Sequence, residues 1–460
     1  MTVFGATDAV CEFVSGFRPA SVPDEVWARA SDLVADTLFV AVAATGSDVW
    51  DTLGPLVDPA LGPAGSTVVG RGLTRSAGLA CWANGALAHA LEYDDSTLSP
   101  IGHPSCVIVP AVVALAEQLG ASGAAVLEAY VVGLEVHSRL GQAEAGGWKA
   151  EGAWLPIGHV SVLGAAAGCS RLLGLDPVRT GHALGLAAQS CGTLSVAGGS
   201  MAKPLAAGSS ARAGLEAALL ARSGATGPEA VIERPGGFAD VYLGPGHDLA
   251  GPLGRLGAPH HLEEVGVAVK RYPSVYATHW GMDALLAIMS DQGLAAGDVE
   301  SVDLVHPAAA AFCDNPTPHD VEEARFSHEY NLAVALLDGV PGPPSYSGDR
   351  LGAADLRDAL RRVRARSHPP GTEPPLSREY LVTVTGRDGR RWTASVARPL
   401  GHPRNPMGAG ELEAKFRRCV AGRLSENEAT SLRAEVHNLA GLANLSSISA
   451  VLARARTSPE

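Results

Sequence analysis

Residues 76–91 read Ser-Ala-Gly-Leu-Ala-Cys-Trp-Ala-Asn-Gly-Ala-Leu-Ala-His-Ala-Leu, an alanine-rich run that predicts a helix of small side chains. Glu92-Tyr-Asp-Asp-Ser96 follows directly, and His103-Pro-Ser105 lies just beyond. The Ser-Pro-Ile-Gly run at 99–102 predicts a loop, so the acidic residues fall where the helix ends. Catalytic groups are often held on loops and helix ends. A solvated acidic helix end with a nearby surface histidine is the simpler alternative.

Further segments, 124–136, 162–175 and 205–222, combine alanine, glycine and leucine with good helix formers. Helices with such small side chains can approach one another closely, which favours a compact all-helical core. The chain has 460 residues, 46% of them hydrophobic and few aromatic. This length exceeds that of one ordinary core, so two domains are expected.

The pattern changes from about residue 258 to 404. Its predicted elements are strands at 262–268 and 299–305, helices at 278–292, 329–337 and 353–366, and a hairpin of strands 380–385 and 391–396. The pattern from about residue 410 is helical again. We therefore expect a mainly α protein: a large all-helical domain formed from both chain ends, 1–257 and 405–460, with an inserted small α+β lid domain at 258–404.

The formal net charge of −13 argues against nucleic acid as a partner, because there is no excess of lysine and arginine to meet phosphates. The sequence shows no secretory signal and no run of about 18 apolar residues, so neither secretion nor a membrane-spanning helix is predicted. Its seven cysteines are scattered, without a Cys-x-x-Cys pair. That pattern favours reduced thiols in the cytoplasm over disulfides or zinc.

Only four of the 35 basic residues are lysines. Where arginine is so strongly preferred, a retained lysine suggests a site that needs a compact ammonium group or a titratable amine. Lys203 and Lys270 both lie in motif-like contexts.

Several motifs occur together in one order. They are Asn84-Gly-Ala-Leu-Ala-His-Ala-Leu-Glu-Tyr-Asp-Asp-Ser96, Gly102-His-Pro-Ser105, Pro110-Ala-Val-Val-Ala-Leu-Ala-Glu117, Ser200-Met-Ala-Lys-Pro-Leu-Ala-Ala-Gly208, Lys270-Arg-Tyr-Pro-Ser274 with His279 five residues on, Phe326-Ser-His-Glu-Tyr330 and Asn405-Pro-Met407. In these motifs the chain resembles the MmgE/PrpD family, which includes 2-methylcitrate dehydratase, cis-aconitate decarboxylase and iminodisuccinate epimerase. The resemblance covers nearly the whole length and looks nearest to the epimerase.

The resemblance implies an all-helical domain built from both chain ends with a smaller α+β lid, a homodimer, and neither a metal nor an organic cofactor. It also implies a reaction on a small polycarboxylic acid that begins by removing a proton or a carboxylate next to a carbonyl, carboxylate or imine group. Such a reaction needs a positioned acid–base group, and cationic or hydrogen-bonding groups for the developing negative charge.

His103 is the first candidate for the acid–base group, because an unperturbed imidazole titrates at about pH 6.5 and can act either way. A helix-capping loop histidine is the alternative. Asp94 and Asp95, with Ser96, are candidates to orient this histidine or to bind substrate, or else to anchor the loop. Glu92 falls where the family usually has aspartate, which leaves its substrate-binding role open.

Lys203 matches the active-site lysine of the family, and an ammonium near a helix N-terminus suits a carboxylate. His279 matches a family histidine that reaches from the lid toward the pocket. Tyr330 is a candidate hydrogen-bond donor, with a core tyrosine as the alternative. Tyr272 is a candidate substrate contact, although packing in the interdomain hinge is favoured for it.

One departure from the family pattern concerns catalysis directly. The family usually has Gly-Trp-His-Pro-Thr with a catalytic histidine, whereas this chain has Ala153-Trp-Leu-Pro-Ile157. Leu155 thus stands where the histidine is expected and cannot transfer a proton. His159 is a candidate substitute, because it would project from the same face one turn later if the segment were helical. Alternatively, His159 lines a changed pocket without catalysing.

The leading hypothesis is thus a cofactor-independent lyase or isomerase acting on a small carboxylic acid, with elimination, decarboxylation and epimerisation all open. A metal-dependent hydrolase using His89, Asp94, Asp95 and His103 is a second reading, but the spacing matches no helical metal motif. A non-catalytic homologue that kept the fold is a third, and retention of Lys203, His103 and His279 argues against it.

Overall fold

A computed structural model describes residues 4–58, 65–99, 101–144, 154–369 and 380–456. The fold is mainly α, as predicted, with three small sheets among the described residues. In this part of the chain no single helix is long and apolar enough to cross a membrane. One helix pair, Asp24–Gly46 with Asp48–Val57, has sufficient length and hydropathy only when its two helices are taken together, and it is bent by 87°. Helices 24–43 and 48–57 both contribute to the buried core.

The described residues form two compact units. The first, here called the helical unit, takes its residues from Met1–Ala90, Asp94–Ala268 and Cys419–Glu460. The second, the mixed unit, takes Leu91–Tyr93 and Val269–Arg418. The predicted boundaries at 257–258 and 404–405, and the action of the second domain as a lid, stay predictions.

The helical unit consists mainly of helices. They are α1 (Ala6–Gly16), α2 (Asp24–Ala43), α3 (Asp48–Val57), α4 (Ala77–His89), α5 (Ser105–Leu119), α6 (Gly123–Gln142), α7 (Val160–Leu172), α8 (Pro177–Ala188), α9 (Ala202–Arg222), α10 (Ala250–Leu253), α11 (His261–Glu264), α18 (Glu426–His437) and α19 (Ser446–Leu452). Helix α17 (Ala409–Val420) begins in the mixed unit and ends in this one.

Small residues let α4 and α9 approach closely. A Cβ atom on Gly85 would lie 2.9 Å from Cα of Gly208, and one on Gly208 would lie 2.1 Å from the carbonyl oxygen of Trp82. A larger side chain at either position would therefore push the helices apart. The alanine-rich stretch thus fixes α4 against α9, and both helices carry candidate site residues at or near their ends.

The mixed unit contains a four-stranded sheet. Its elements are α12 (His279–Gln292), β5 (Val299–His306), α13 (Val321–Arg325), α14 (His328–Asp338), α15 (Gly348–Leu351), α16 (Ala354–Arg362), β6 (Val363–Ser367), β7 (Leu381–Gly386) and β8 (Arg391–Ala394). The strand order is β6-β5-β7-β8. Strand β5 pairs parallel with β6 and antiparallel with β7, where Leu304 lies opposite Val382. The core lies between this sheet and helices α12, α14 and α16.

Three secondary-structure predictions were wrong. The predicted strand 262–268 is helix α11 followed by a loop, in which only Ala268 forms an isolated bridge, to Ser96. The predicted helix 353–366 ends at Arg362 because Val363 starts strand β6, whose parallel partner β5 overrides the helical pattern of the arginines.

The third error is the all-helical character of the first domain. The helical unit also contains β1 (Ser66–Val68) paired with β2 (Leu73–Arg75), and β3 (Thr97–Leu98) paired with β4 (Ile101–Gly102). The run 99–102, predicted as a loop, therefore ends in the second strand of a tight antiparallel pair. His103 therefore follows directly after a paired strand and not an open loop.

Candidate active site

His103 lies between strand β4 and helix α5, with 14% of its side chain exposed. Its Nδ1 atom is 2.8 Å from the backbone carbonyl oxygen of Asp95. Because a carbonyl oxygen can only accept, Nδ1 carries the hydrogen in this pair. In the neutral imidazole Nε2 then carries the lone pair, which makes Nε2 the atom suited to take up or give a proton.

Asp94 links two imidazole rings. Its buried Oδ2 atom lies 2.8 Å from Nδ1 of His89, at the end of α4, and 3.5 Å from Nδ1 of His103. The two rings are 4.7 Å apart between centroids. A carboxylate beside an imidazole favours the protonated, positively charged ring. The arrangement can therefore stabilise the imidazolium form of His103.

Asp95 has a different environment from Asp94. Its carboxyl group is buried and accepts hydrogen bonds from the backbone N–H of Ser105, at 3.3 Å, and from the Ser105 hydroxyl. The Tyr130 hydroxyl lies 2.7 Å from the same serine oxygen. Burial raises the pKa of Asp95 to about 8; the Ser105 hydrogen bonds oppose this, and the charges of Asp94 and Asp36 add to it. Both carboxyl oxygens are thus engaged at the start of α5.

Ser96 is buried, and its backbone bridges to Ala268 through bonds of 2.9 and 2.8 Å. Its hydroxyl makes a long contact of 3.4 Å with the carbonyl oxygen of Thr97. The observed contacts of Ser96 hold the loop in place, and a role in substrate binding stays a prediction.

Lys203 is the second residue of α9, and only 6% of the residue is exposed. Its positive charge lowers the pKa of the thiol of Cys106, which lies in the first turn of α5. Burial raises the pKa of that thiol well above its usual range, the charges of Asp94 and Asp95 raise it further, and the ammonium of Lys203 opposes them. The structure therefore brings Lys203 into the electrostatic neighbourhood of the His103 loop.

His159 is buried beside Leu155 but does not share a helix face with it. Leu155 precedes a 3₁₀ turn at Pro156–Gly158, and α7 starts only after His159. The condition on which the shared face depended, a helical segment by His159, is therefore not met. Nδ1 of His159 lies 3.0 Å from the Leu155 carbonyl oxygen, and its ring stacks on Tyr242 at 5.6 Å. Burial lowers the pKa of His159 to about 4, against this backbone hydrogen bond.

Glu92 and Lys270 form a buried ion pair within the mixed unit. Lys270 Nζ donates to the Glu92 side chain and to its carbonyl oxygen, both at 2.9 Å. Glu92 has a positive φ of 50°, which is uncommon outside glycine. The carboxylate predicted to bind substrate is thus already paired with a lysine in this unit.

Tyr272 and His279 lie together in the mixed unit. The Tyr272 hydroxyl donates to Asp283 at 2.5 Å, and Asp283 also accepts from Arg271 at 2.9 Å. His279, the first residue of α12, packs between Tyr272 and Tyr276 with ring centroids 5.0 Å apart in each case. Burial, reinforced by the charge of Lys270 and other cations, lowers the pKa of His279 well below its usual value. His279 therefore stays neutral near pH 7.

Tyr330 is buried on α14, and its hydroxyl donates to the carbonyl oxygen of Ser345 at 2.7 Å. Its ring lies 5.7 Å from that of Tyr346. These contacts place it in the hydrophobic core of the mixed unit. Its catalytic role stays a prediction that none of these contacts requires.

The sequence reasoning did not identify the roles of Ser105, Cys106 and Tyr130 in this environment, and it did not foresee that Lys270 pairs with Glu92. Ser105 ends the quoted motif Gly102–Ser105, so its proximity to Asp95 could have been considered. Tyr130 and Lys270 lie 25 and 178 residues away from Ser105 and Glu92. No local sequence signal links such distant residues.

Two family models match the chain. The model of the MmgE/PrpD N-terminal domain matches residues 8–249, and that of the MmgE/PrpD C-terminal domain matches residues 272–440. Together the matches cover most of the sequence, in agreement with the resemblance drawn from the motifs.

Relatives with the same printed name extend over nearly the full length. The chain is 28% identical to a cis-aconitate decarboxylase of Mus musculus, over 98% of this chain and 94% of the relative. It is 28% identical to the Homo sapiens protein of that name, over 98% and 95%. A cis-aconitate decarboxylase of Aspergillus terreus is also 28% identical, over 97% and 95%.

Proposed function

The chain belongs to the MmgE/PrpD family, and from this premise we propose that it is a lyase or isomerase that transfers a proton at a carbon next to a carboxylate of a small polycarboxylic acid. The observation that carries the proposal is the setting of His103. Its Nδ1 is held by the Asp95 carbonyl oxygen at 2.8 Å, and the Asp94 carboxylate lies 3.5 Å from the same atom. Nε2 of His103 is then the proton-transfer atom.

Lys203 is the proposed binding group for a substrate carboxylate. An ammonium in the first turn of a helix adds its charge to that of the backbone N–H groups there. The raised pKa of the nearby Asp95 keeps that carboxyl group largely protonated at neutral pH. This lessens the repulsion that an anionic substrate would meet.

Decarboxylation is the first candidate reaction, since the relatives are named cis-aconitate decarboxylases. The carbon–carbon bond to the departing carboxylate breaks, carbon dioxide leaves, and the electron pair stays with the substrate until a proton is added to carbon. His103 would supply that proton from its imidazolium form, which the Asp94 carboxylate favours. The proton returns to His103 from solvent.

Proton abstraction is the second candidate, completed by epimerisation or by elimination. It is favoured by the hydrogen bond from Nδ1 of His103 to a carbonyl oxygen, which leaves the lone pair on Nε2 of the neutral ring. His103 would take the proton, and the electron pair would spread onto the adjacent carboxylate beside Lys203. The predicted similarity to iminodisuccinate epimerase belongs to this candidate.

A divergent substrate or mechanism is part of the proposal, because Leu155 stands where the family is expected to have a catalytic histidine. His159 is the proposed substitute or pocket residue, and its burial and low pKa favour the second role. Asp94, Asp95, Ser96, Glu92 and Tyr272 remain proposed substrate contacts, and His279 and Tyr330 proposed catalytic groups. The homodimer and the cytoplasmic location stay predictions.

The test is to incubate the purified protein in deuterated water with cis-aconitate and with a panel of saturated and unsaturated di- and tricarboxylic acids. Proton NMR follows deuterium entering substrate or product, and released carbon dioxide is measured separately. Carbon dioxide with a deuterated product supports decarboxylation; deuterated substrate alone supports proton abstraction. Absence of both, together with carboxylate binding that is unchanged by Lys203→Ala, would contradict the proposal.

A further inference from the structure

Two histidines and an aspartate converge in the mixed unit: His306 at the end of β5, Asp314 in the following segment, and His328 at the start of α14. One ligand atom from each lies within 4.8 Å of the other two. We propose that these three side chains bind a divalent transition-metal ion. The proposed function does not use this cluster.

The fold brings these three side chains close together. Buried residues alternate along β5, so His306 lies on the same inward face as Val302 and Leu304. His306 and His328 are almost fully buried, and their rings stack with centroids 4.5 Å apart. The side chain of Asp314 is 35% exposed, which gives an ion from solution a route to the cluster.

The polar atoms of His306 are arranged so that they suit a bound cation. Its Nδ1 lies 3.1 Å from the carbonyl oxygen of Pro307 and so carries the hydrogen in that pair. In the neutral ring Nε2 then presents its lone pair to the Asp314 carboxylate, 2.7 Å away, without hydrogen-bond geometry. Two electron-rich atoms so close together require a proton or a metal ion to hold them.

His328 provides an independent indication. It is 1% exposed, and neither ring nitrogen makes a hydrogen bond of normal geometry to any residue in the described part of the chain. The Ala310 backbone lies close enough to interact with the ring. A buried imidazole without a hydrogen bond is uncommon, and ligation of a metal would satisfy one of its nitrogens.

The ligand types indicate the class of metal. Imidazole nitrogen favours zinc, iron, copper and nickel, whereas magnesium and calcium prefer sites made of oxygen atoms. Two histidines and one carboxylate leave further coordination positions for water or another ligand. Zinc is the first ion to test, and cobalt(II) is its spectroscopic substitute.

The experiment uses the full chain after treatment with a chelator, titrated with zinc in a calorimeter and with cobalt(II) followed by its visible absorption. We expect wild-type protein to bind, and Asp314→Asn and His328→Gln each to weaken binding by at least about ten-fold, the lower end of the loss seen when even an outer-shell partner of a metal is removed. Asp314→Asn is the variant least able to disturb folding, because that side chain is partly exposed. Thermal unfolding without metal checks that both variants fold.

Two controls separate this cluster from other sites. His319→Gln changes an exposed histidine near Asp314 and should leave binding unchanged. Cys106→Ser disrupts the other group with suitable ligand spacing, His89, Asp94 and Cys106, and should also leave it unchanged. The inference is overturned if wild-type protein binds neither ion, if Asp314→Asn binds as tightly as wild type, or if only Cys106→Ser abolishes binding.

Discussion

The Nδ1 atom of His103 lies 2.8 Å from the backbone carbonyl oxygen of Asp95, eight residues earlier in the chain. This single contact fixes which ring nitrogen carries the hydrogen, because the carbonyl can only accept. The neighbouring carboxylate of Asp94, 3.5 Å from the same Nδ1 atom, favours the same tautomer and also the positive charge of the ring. The loop thus holds His103 in one tautomer for proton transfer through Nε2.

Lys203→Ala should lower kcat/KM by roughly 30-fold or more. The reason is that removing one partner of a desolvated charge pair costs about 2–5 kcal/mol. The control is Arg212→Ala on the same helix, whose side chain is 47% exposed and pairs with Glu216. Steady-state kinetics of both variants would contradict the assignment if Lys203→Ala and Arg212→Ala had equal and small effects.

Asp95→Asn should fold and become relatively more stable than wild type in alkaline solution. Burial, mainly, raises the pKa of Asp95 to about 8, well above its unfolded value of about 3.9. Between these values the folded state keeps a proton that the unfolded state releases, so the contribution of Asp95 to stability is lost as pH rises through this window.

Asparagine does not titrate, so the difference in Tm between Asp95→Asn and wild type should increase from pH 5 to pH 9. Thermal unfolding across this range measures it. A difference in Tm that stays constant with pH would show that Asp95 is ionised in the folded protein.

Acid should destabilise the helical unit. Burial lowers the pKa values of His137, His159 and His261 to about 3, 4 and 4. Below about pH 6.5 these histidines bind protons in the unfolded chain but stay neutral in the folded protein, so their contribution to stability is complete above that pH and declines toward pH 4. For each histidine the difference in pKa between the folded and unfolded states corresponds to roughly 3 kcal/mol or more.

The measurement is Tm between pH 7 and pH 4 for wild type and for His137→Asn, which cannot titrate. The variant should show the shallower decline, whereas His437→Gln, at an exposed position, should follow wild type. Equal changes of Tm with pH in wild type and His137→Asn would contradict the predicted direction.

His159→Gln should reduce Tm and slow turnover by less than about ten-fold, whereas loss of a general acid–base is expected to slow it by about 10²-fold or more. The buried ring stacks on Tyr242, and its pKa of about 4 keeps it neutral near pH 7, so that it is not an imidazolium acid. Kinetics at saturating substrate make the distinction. If turnover instead slowed by about 10²-fold or more with unchanged KM, His159 would be identified as the substitute for the histidine missing at 155.

The sequence predicted those features that depend on local pattern. Small residues predicted helix 76–91, whose observed counterpart is α4, and alternation with a Gly-Arg-Asp-Gly turn predicted the hairpin seen as β7 and β8. The predicted helix 353–366 is wrong at its end, because the arginine-rich segment pairs there with a parallel strand and forms β6. The local sequence does not indicate which distant strand a segment will pair with.

The same distinction applies to the candidate site. His103, Asp94 and Asp95 lie within ten residues of sequence, and the structure brings them together where the strand pair β3 and β4 begins and ends. The raised pKa of Asp95 was not predictable, because it depends on burial and on the contacts of the folded chain. The shared helix face of Leu155 and His159, which depended on a helical segment, does not form because a 3₁₀ turn separates them before α7 begins.

The most direct test of the central claim is solvent deuterium incorporation by wild type and His103→Gln with the best carboxylate of the panel, at equal, saturating concentrations. We predict that wild type introduces deuterium at a carbon next to a carboxylate, and that His103→Gln does so at least about 10²-fold more slowly while keeping its Tm and its affinity for the carboxylate. Equal rates in the two proteins would contradict the assignment of His103 as the proton-transfer group.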